Sequence, residues 1–170
     1  SSNLYLRENC SSWLLTNNYF KGYINLNNNN SIVISNNIFY GSYYQPIQNS
    51  NSPSVLISHN MFFKFNYFSN VFNATISDNI FMCNSATNTA NMAKNNFINN
   101  LSWRSALTPY ALPPEGNTGT NNISNQDPLF ETAPSTSSQS FDFTQDYHLK
   151  STSPGKNAAS DGTDIGPYGG

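Results

Sequence analysis

The sequence predicts an all-β chain wound as a solenoid of the parallel β-helix type, with about five to six coils. The first observation is a repeat. The stretch Ser31 to Gly41, SIVISNNIFYG, returns upstream as SWLLTNNYFKG from Ser12, at an offset of 19 residues, and downstream as VLISHNMFFK from Val55 and ATISDNIFMC from Ala74. A decayed copy, NMAKNNFIN, starts at Asn91. A unit near 20 residues with one core-facing strand signature cannot bury its apolar face alone, so copies must stack. The second observation favours the β-helix over the leucine-rich repeat: the apolar positions are Ile, Val and Phe, and no window carries an i, i+3, i+4, i+7 stripe over three turns.

The third observation is a column of Asn at one turn of each coil. Asn18, Asn37, Asn60, Asn79 and Asn96 occupy it, spaced 19, 23, 19 and 17 residues apart, so the expansion falls in the coil carrying Ser42 to Ser54. Asn tolerates the left-handed backbone of a sharp turn, and its amide both donates and accepts between copies about 4.8 Å apart. Chance alignment in an Asn-rich chain does not explain why the Ile, Ser/Thr and Phe columns fall in the same register.

Taken in order, Ser1 to Ser11 supplies a strand at Leu4 to Leu6 and a turn at Glu8 and Asn9, a half-coil that recurs from Tyr23 to Asn29. Alternation then turns Trp13, Leu15 and Phe20 inward, followed by Ile32, Ile34 and Phe39, by Val55, Ile57 and Phe62, and by Ala74, Ile76 and Phe81. The four Phe are expected to stack as core. Leu14, Val33 and Leu56 point outward, as do Tyr19, Ile38, Met61, Ile80 and Phe97 beside the Asn column. A stripe of that length needs a cover, and the chain's own tail is the expected one. From Ser102 the repeat dissolves into Pro- and Gly-rich sequence, and Asn122 and Ile123 restore one last coil. The expected organisation is coils over 1–101, a loop over 102–121, and a last coil with a cap over 122–170, packed on the same domain.

Composition narrows the partners. Charged residues are 9% and the formal net charge is −2, so there is no electrostatic footprint for nucleic acid or an anionic membrane. No run of 18 apolar residues could span a bilayer. Neither an initiator Met nor a signal peptide opens the chain, which reads as a processed protein or a piece of a longer one. Cys10 and Cys83 fall in the first and fourth coils, about 14 Å apart along the axis, which predicts two free thiols. The polar, nearly uncharged surface suggests an extracellular or cell-surface setting. The Asn-x-Ser/Thr triplets at Asn9, Asn29, Asn73, Asn100 and Asn122 are what frequency alone generates in such a chain.

The ending carries a resemblance. QDPLF (Gln126 to Phe130), DYHL (Asp146 to Leu149), Ser153-Pro154 and Asp164-Ile165-Gly166 resemble the C-terminal ending of secreted bacterial right-handed parallel β-helix proteins. That family is pectate-lyase-like in fold and commonly ends in DPLF, DYHL, SPA-x-x-A-G and DIG-A-Y; this chain departs from the pattern at Lys156, Pro167 and the absent terminal Glu. The resemblance implies a β-helix with an irregular C-terminal cap. Members include polysaccharide lyases, hydrolases, tailspikes and surface proteins, so fold does not choose the activity. Uronate lyases of this fold use Lys or Arg as base, with Ca²⁺ or another cation, and its glycosidases use clustered Asp.

Acids and bases are scarce in the repeats. His59 and Asp78 share the column before the ladder Asn in consecutive coils, close enough in expectation for a hydrogen bond and acid–base work. A surface pair capping a turn is the plainer reading. Asp161 and Asp164, in SDGTD, offer a Ca²⁺ loop or, more plainly, a turn closed by Asp side chains; no other metal or cofactor is implied. His148 is read as structural. Tyr40, Tyr43, Tyr44, Phe63 and Trp103 suit neutral glycans, whose C–H faces stack on rings, or pack under loops. Three function classes follow: a non-catalytic scaffold, adhesin or glycan-contact domain; a carbohydrate-active enzyme or a fragment of one; and a self-assembling subunit. The last would use its first coil, which begins at Leu4 without a polar cap and can accept a strand from another copy or a larger parent chain.

Overall fold

The computed structural model describes residues 4–6, 11–27, 29–40, 46–50, 52–65, 71–83, 93–103, 111–133 and 141–170. Among these, every regular element is a strand and every strand pair is parallel. The first coil contains β1 (Leu4–Leu6), β2 (Ser11–Thr16) and β3 (Tyr19–Phe20); the second β4 (Ile24–Asn27), β5 (Asn30–Ser35) and β6 (Ile38–Phe39). The third contains β7 (Ile47–Ser50), β8 (Val55–Ser58) and β9 (Met61–Phe65). Thereafter come β10 (Ala74–Ser77) with β11 (Ile80–Cys83), β12 (Asn96–Ile98) with β13 (Leu101–Trp103), and β14 (Thr118–Thr120). They stack into a first sheet, β1-β4-β7; a central one, β14-β12-β10-β8-β5-β2; and a third, β13-β11-β9-β6-β3.

The result is a β-solenoid of about four turns, fewer than the five to six expected. Among the described residues, coils with a strand in all three sheets end at the third; beyond it no described strand continues the first sheet, and an isolated parallel bridge joins Phe72 to Ala93. The register follows the repeat: Ile32 lies on Val55 and Val55 on Ala74, while Ile34, Ile57 and Ile76 share a column. These inward residues are buried. Phe20, Phe39, Phe62 and Phe81 stack with centroids 5.0, 4.9 and 5.2 Å apart, the spacing that strand pairing imposes.

Left-handed residues frame the central sheet on both sides. One column is Ser12, Ser31, Ser54, Asn73, Lys94 and Gly116; the other is Asn17, Asn36, His59, Asp78, Asn99 and Asn121. Asn, Asp and His tolerate this backbone best among non-glycine residues, which accounts for all six of the second column.

Beside that second column runs the amide ladder. Asn18 Nδ2 donates to Asn37 Oδ1 at 3.2 Å, Asn37 to Asn60 at 3.0 Å and Asn60 to Asn79 at 3.0 Å. The next rungs are Asn100 and Asn122, each bond again 3.0 Å, so Asn96 is not in the ladder. Asn96 pairs with Thr75 on the exposed side of β12, and Phe97, expected outward, is buried and approaches Phe81 at 6.4 Å. KNN and INN, four residues apart, both offer an Asn pair; Phe97 three residues before Asn100 keeps the inward column filled. Asn122 and Ile123 do extend the stack, Ile123 bridging Leu101. Of the glycosylation triplets, Asn29 and Asn100 are fully buried.

The tail lies across the outer face of the third sheet. Ile38, Met61, Phe63, Ile80, Met82 and Leu101 form a second core with Phe130, Ala133, Tyr147, Leu149, Ala159 and Ile165. Gly166 reaches Ile80 so closely that a Cβ there would lie 2.6 Å from Ile80 Cδ1. Cys10, Tyr43 and Tyr44 lie outside the described residues, as does the Pro134 to Ser140 linker, and so the expectation of free thiols rests with them.

Candidate functional site

His59 and Asp78 meet where the tail crosses the second left-handed column. Their side chains are neither exposed nor hydrogen-bonded to one another: His59 Nε2 stands 3.7 Å from Asp78 Oδ2 and 3.6 Å from Asp161 Oδ2, and the residues are 8% and 1% exposed. Both the direct bond and the surface location expected from sequence are thus corrected. The cause is the tail. Asp78 Oδ1 accepts from Ser160 N and Oδ2 from Ser160 Oγ, each at 2.7 Å, and the Asp78 carbonyl accepts from Gly166 N at 2.8 Å. Gly170 lies flat against the imidazole, where a Cβ would sit 3.2 Å from Cγ and Cδ2. His59 Nδ1 is buried and finds no partner among the described residues.

One coil earlier, Asn36 continues the fastening. Its Nδ2 donates to Gly169 O at 2.7 Å and to Pro167 O at 3.4 Å. Asn36, His59 and Asp78 therefore hold the tail from three consecutive coils. Among the described residues, the carboxylate accepts two charge-assisted bonds from a tail residue and Gly170 covers the imidazole, so the pair is enclosed by the tail.

The proposed calcium loop is closed on itself. Asp161 Oδ1 accepts from Thr163 Oγ1 at 2.6 Å and Thr163 N at 2.9 Å, which, with the nearby His59, hold its carboxyl below the usual carboxylate range. Asp164 pairs with Lys156 Nζ at 2.7 Å through Oδ2 and accepts Asn157 N at 3.0 Å through Oδ1. The two Asp thus act as turn-formers, and no group of three metal-binding side chains occurs among the described residues.

The aromatic set chosen for glycans is largely covered. Phe63 is buried beneath Phe141 and Tyr147, Tyr40 packs on Phe141 at 5.1 Å, and Trp103 packs on the second core. Alternation placed them outward correctly, but the tail occupies that side.

Sequence reasoning missed a different group. Asn17, Asn18, Tyr19, Asn36, Pro167 and Tyr168 line a hollow of about 130 Å³ where the last residues of the tail meet the first two coils. Tyr168 stacks on His148 with centroids 4.1 Å apart, and His148 Nδ1 lies 2.6 Å from Asp146 Oδ1. Burial and the neighbouring Tyr19 hydroxyl push the Tyr168 phenol well above its ordinary value, whereas hydrogen bonds from His148 hold Asp146 low. The one sequence signal was the outward Tyr19 beside the ladder; nothing in GPYGG told where Tyr168 would land. A second hollow, about 620 Å³, opens on the opposite corner and is lined by Ser52, Pro53, Phe72, Asn73, Ala93 and Lys94.

Comparison with protein-family models, with curated proteins and with solved structures finds no match.

Proposed function

We propose that this chain is a non-catalytic β-helix domain of an extracellular or cell-surface protein, acting as scaffold, adhesin or glycan-contact module. One observation carries the reading: the His59–Asp78 pair, the sequence's best acid–base candidate, is spent on holding the tail. The sparsely charged composition and the cap motifs, which resemble those of secreted bacterial pectate-lyase-like proteins, support the setting. Incubation with polygalacturonate, alginate and neutral glycans tests it. We expect neither unsaturated products nor new reducing ends; release of either, abolished in His59→Ala, sinks the reading.

A second reading, strand addition at the first coil, is favoured by the inward residues there. Leu4, Leu15 and Phe20 are only partly buried and Trp13 is 36% exposed, while no described strand pairs with β2 on that side. Light scattering over a hundredfold range of concentration decides it: a constant mass rejects strand addition between copies.

A further inference from the structure

We infer that the hollow formed by Tyr19, Tyr168, Asn17, Asn18 and Asn36 is a binding subsite for a neutral saccharide. This deepens the glycan-contact part of the proposed function and rests on it.

The lining is chemically unusual for this molecule. No described residue lining the hollow carries a formal charge; three are carboxamides and two are phenols. Asn17 makes no hydrogen bond among the described residues, so its whole amide is available. Asn18 is the first rung of the ladder: its Nδ2 serves Thr16 O and Asn37 Oδ1, while no described residue donates to its Oδ1. Asn36 spends its Nδ2 on the tail and keeps its Oδ1. The hollow thus offers one donor pair and three acceptors within a few residues, the mixture that vicinal hydroxyls satisfy.

Ring faces supply the rest. Tyr19 and Tyr168 are 50% and 42% exposed, and Tyr168 is held by His148, itself held by Asp146. A ring fixed in place before the ligand arrives loses little entropy on binding, and its apolar face suits the C–H side of a pyranose. The hollow is too small to enclose a whole sugar unit, so it takes one edge of a pyranose, and the open side leaves room for the rest of the ring and for an oligosaccharide to continue. With Asp146 bonded to the His148 on which Tyr168 stacks and no Lys or Arg among the described lining residues, an anionic sugar would meet no cation in the hollow to offset it. Neutral sugars are therefore the class.

The test titrates the isotope-labelled chain with maltohexaose, cellohexaose and chitohexaose, each to about 20 mM, and follows the side-chain amide resonances by NMR. Saturable shifts at Asn17, Asn18 and Asn36 with at least one of them are expected. Tyr168→Ala should weaken that binding about tenfold, and Tyr168→Phe, which keeps the ring, about threefold at most. Asn17→Gly, whose backbone conformation glycine adopts freely, should weaken it without altering the fold. Three outcomes overturn the site: no saturable shift with any of the three, shifts elsewhere that Tyr168→Ala leaves unchanged, or equal binding of an oligogalacturonide. None of these touches the non-catalytic reading, which only product formation refutes.

Discussion

The central and third sheets present outer faces built by the same alternation, yet they end in opposite states. On the third, Ile38, Met61 and Ile80 sit beneath the tail and are at most 2% exposed. On the central one, Leu14 is 66% exposed and Val33 and Leu56 are half-buried. The rows then turn polar, with Thr75, Asn96 and Thr118 continuing the column. The difference shows that alternation decides which way a side chain points and a distant segment decides what that direction is worth. It also explains the aromatic residues: Phe63 looked like a ligand surface until Phe141 and Tyr147 came to rest on it.

Experiments can break this contrast or sharpen it. The largest effect is expected inside both faces, where the ladder serves them equally: Asn60→Leu removes bonds to Ile34 O, Ser58 O and Asn79 Oδ1 and orphans the buried Asn37 N. Chemical denaturation should show a loss of about 4 kcal/mol. Next come the two faces themselves. Ile80→Ala, under the tail, should cost about 3 kcal/mol, while Leu14→Ala on the bare sheet should stay within about 0.5 kcal/mol. Equal losses would erase the distinction.

Asp78→Gly keeps the left-handed backbone but removes the carboxylate that accepts from Ser160. It should cost about 2 kcal/mol, and hydrogen exchange should quicken over 141–170 before it does over the ladder. Acid should do the same more mildly. Hydrogen bonds from Thr163, from His148 and from Thr144 hold Asp161, Asp146 and Asp142 below the ordinary carboxylate range. Groups depressed in the folded state contribute stability above their unfolded value and lose it as pH falls through the folded one. Tail protection should therefore fade below about pH 4, ahead of the coils. Coils that loosen first would contradict this assignment.

What the sequence made legible is what the stack repeats. Ile34, Ile57 and Ile76 over Phe39, Phe62 and Phe81, with Asn37, Asn60 and Asn79 at the corner, could be read because each coil restates the last. The reading slipped at Asn96 where KNN and INN compete, and only burial of Phe97 against Phe81 separates them. The site was harder. His59 next to Asp78 was visible as a column, but the partners that change its meaning, Ser160, Asp161 and Gly170, come from 82 or more residues further along and carry no periodic signal. Tyr168 meets Asn17 for the same reason, through a long-range fold-back that no local pattern encodes.

Each amide rung donates forward to the next without regard to which turn it belongs to, so a whole turn could be gained or lost by duplication or excision and leave neighbours matched. The terminal strap has no such freedom. Its grips on Asn36, His59 and Asp78 are spaced one per turn, and a chain that changed its number of turns between them would find its strap the wrong length. The repeats tolerate growth; the strap works as a ruler that fixes the turns it spans.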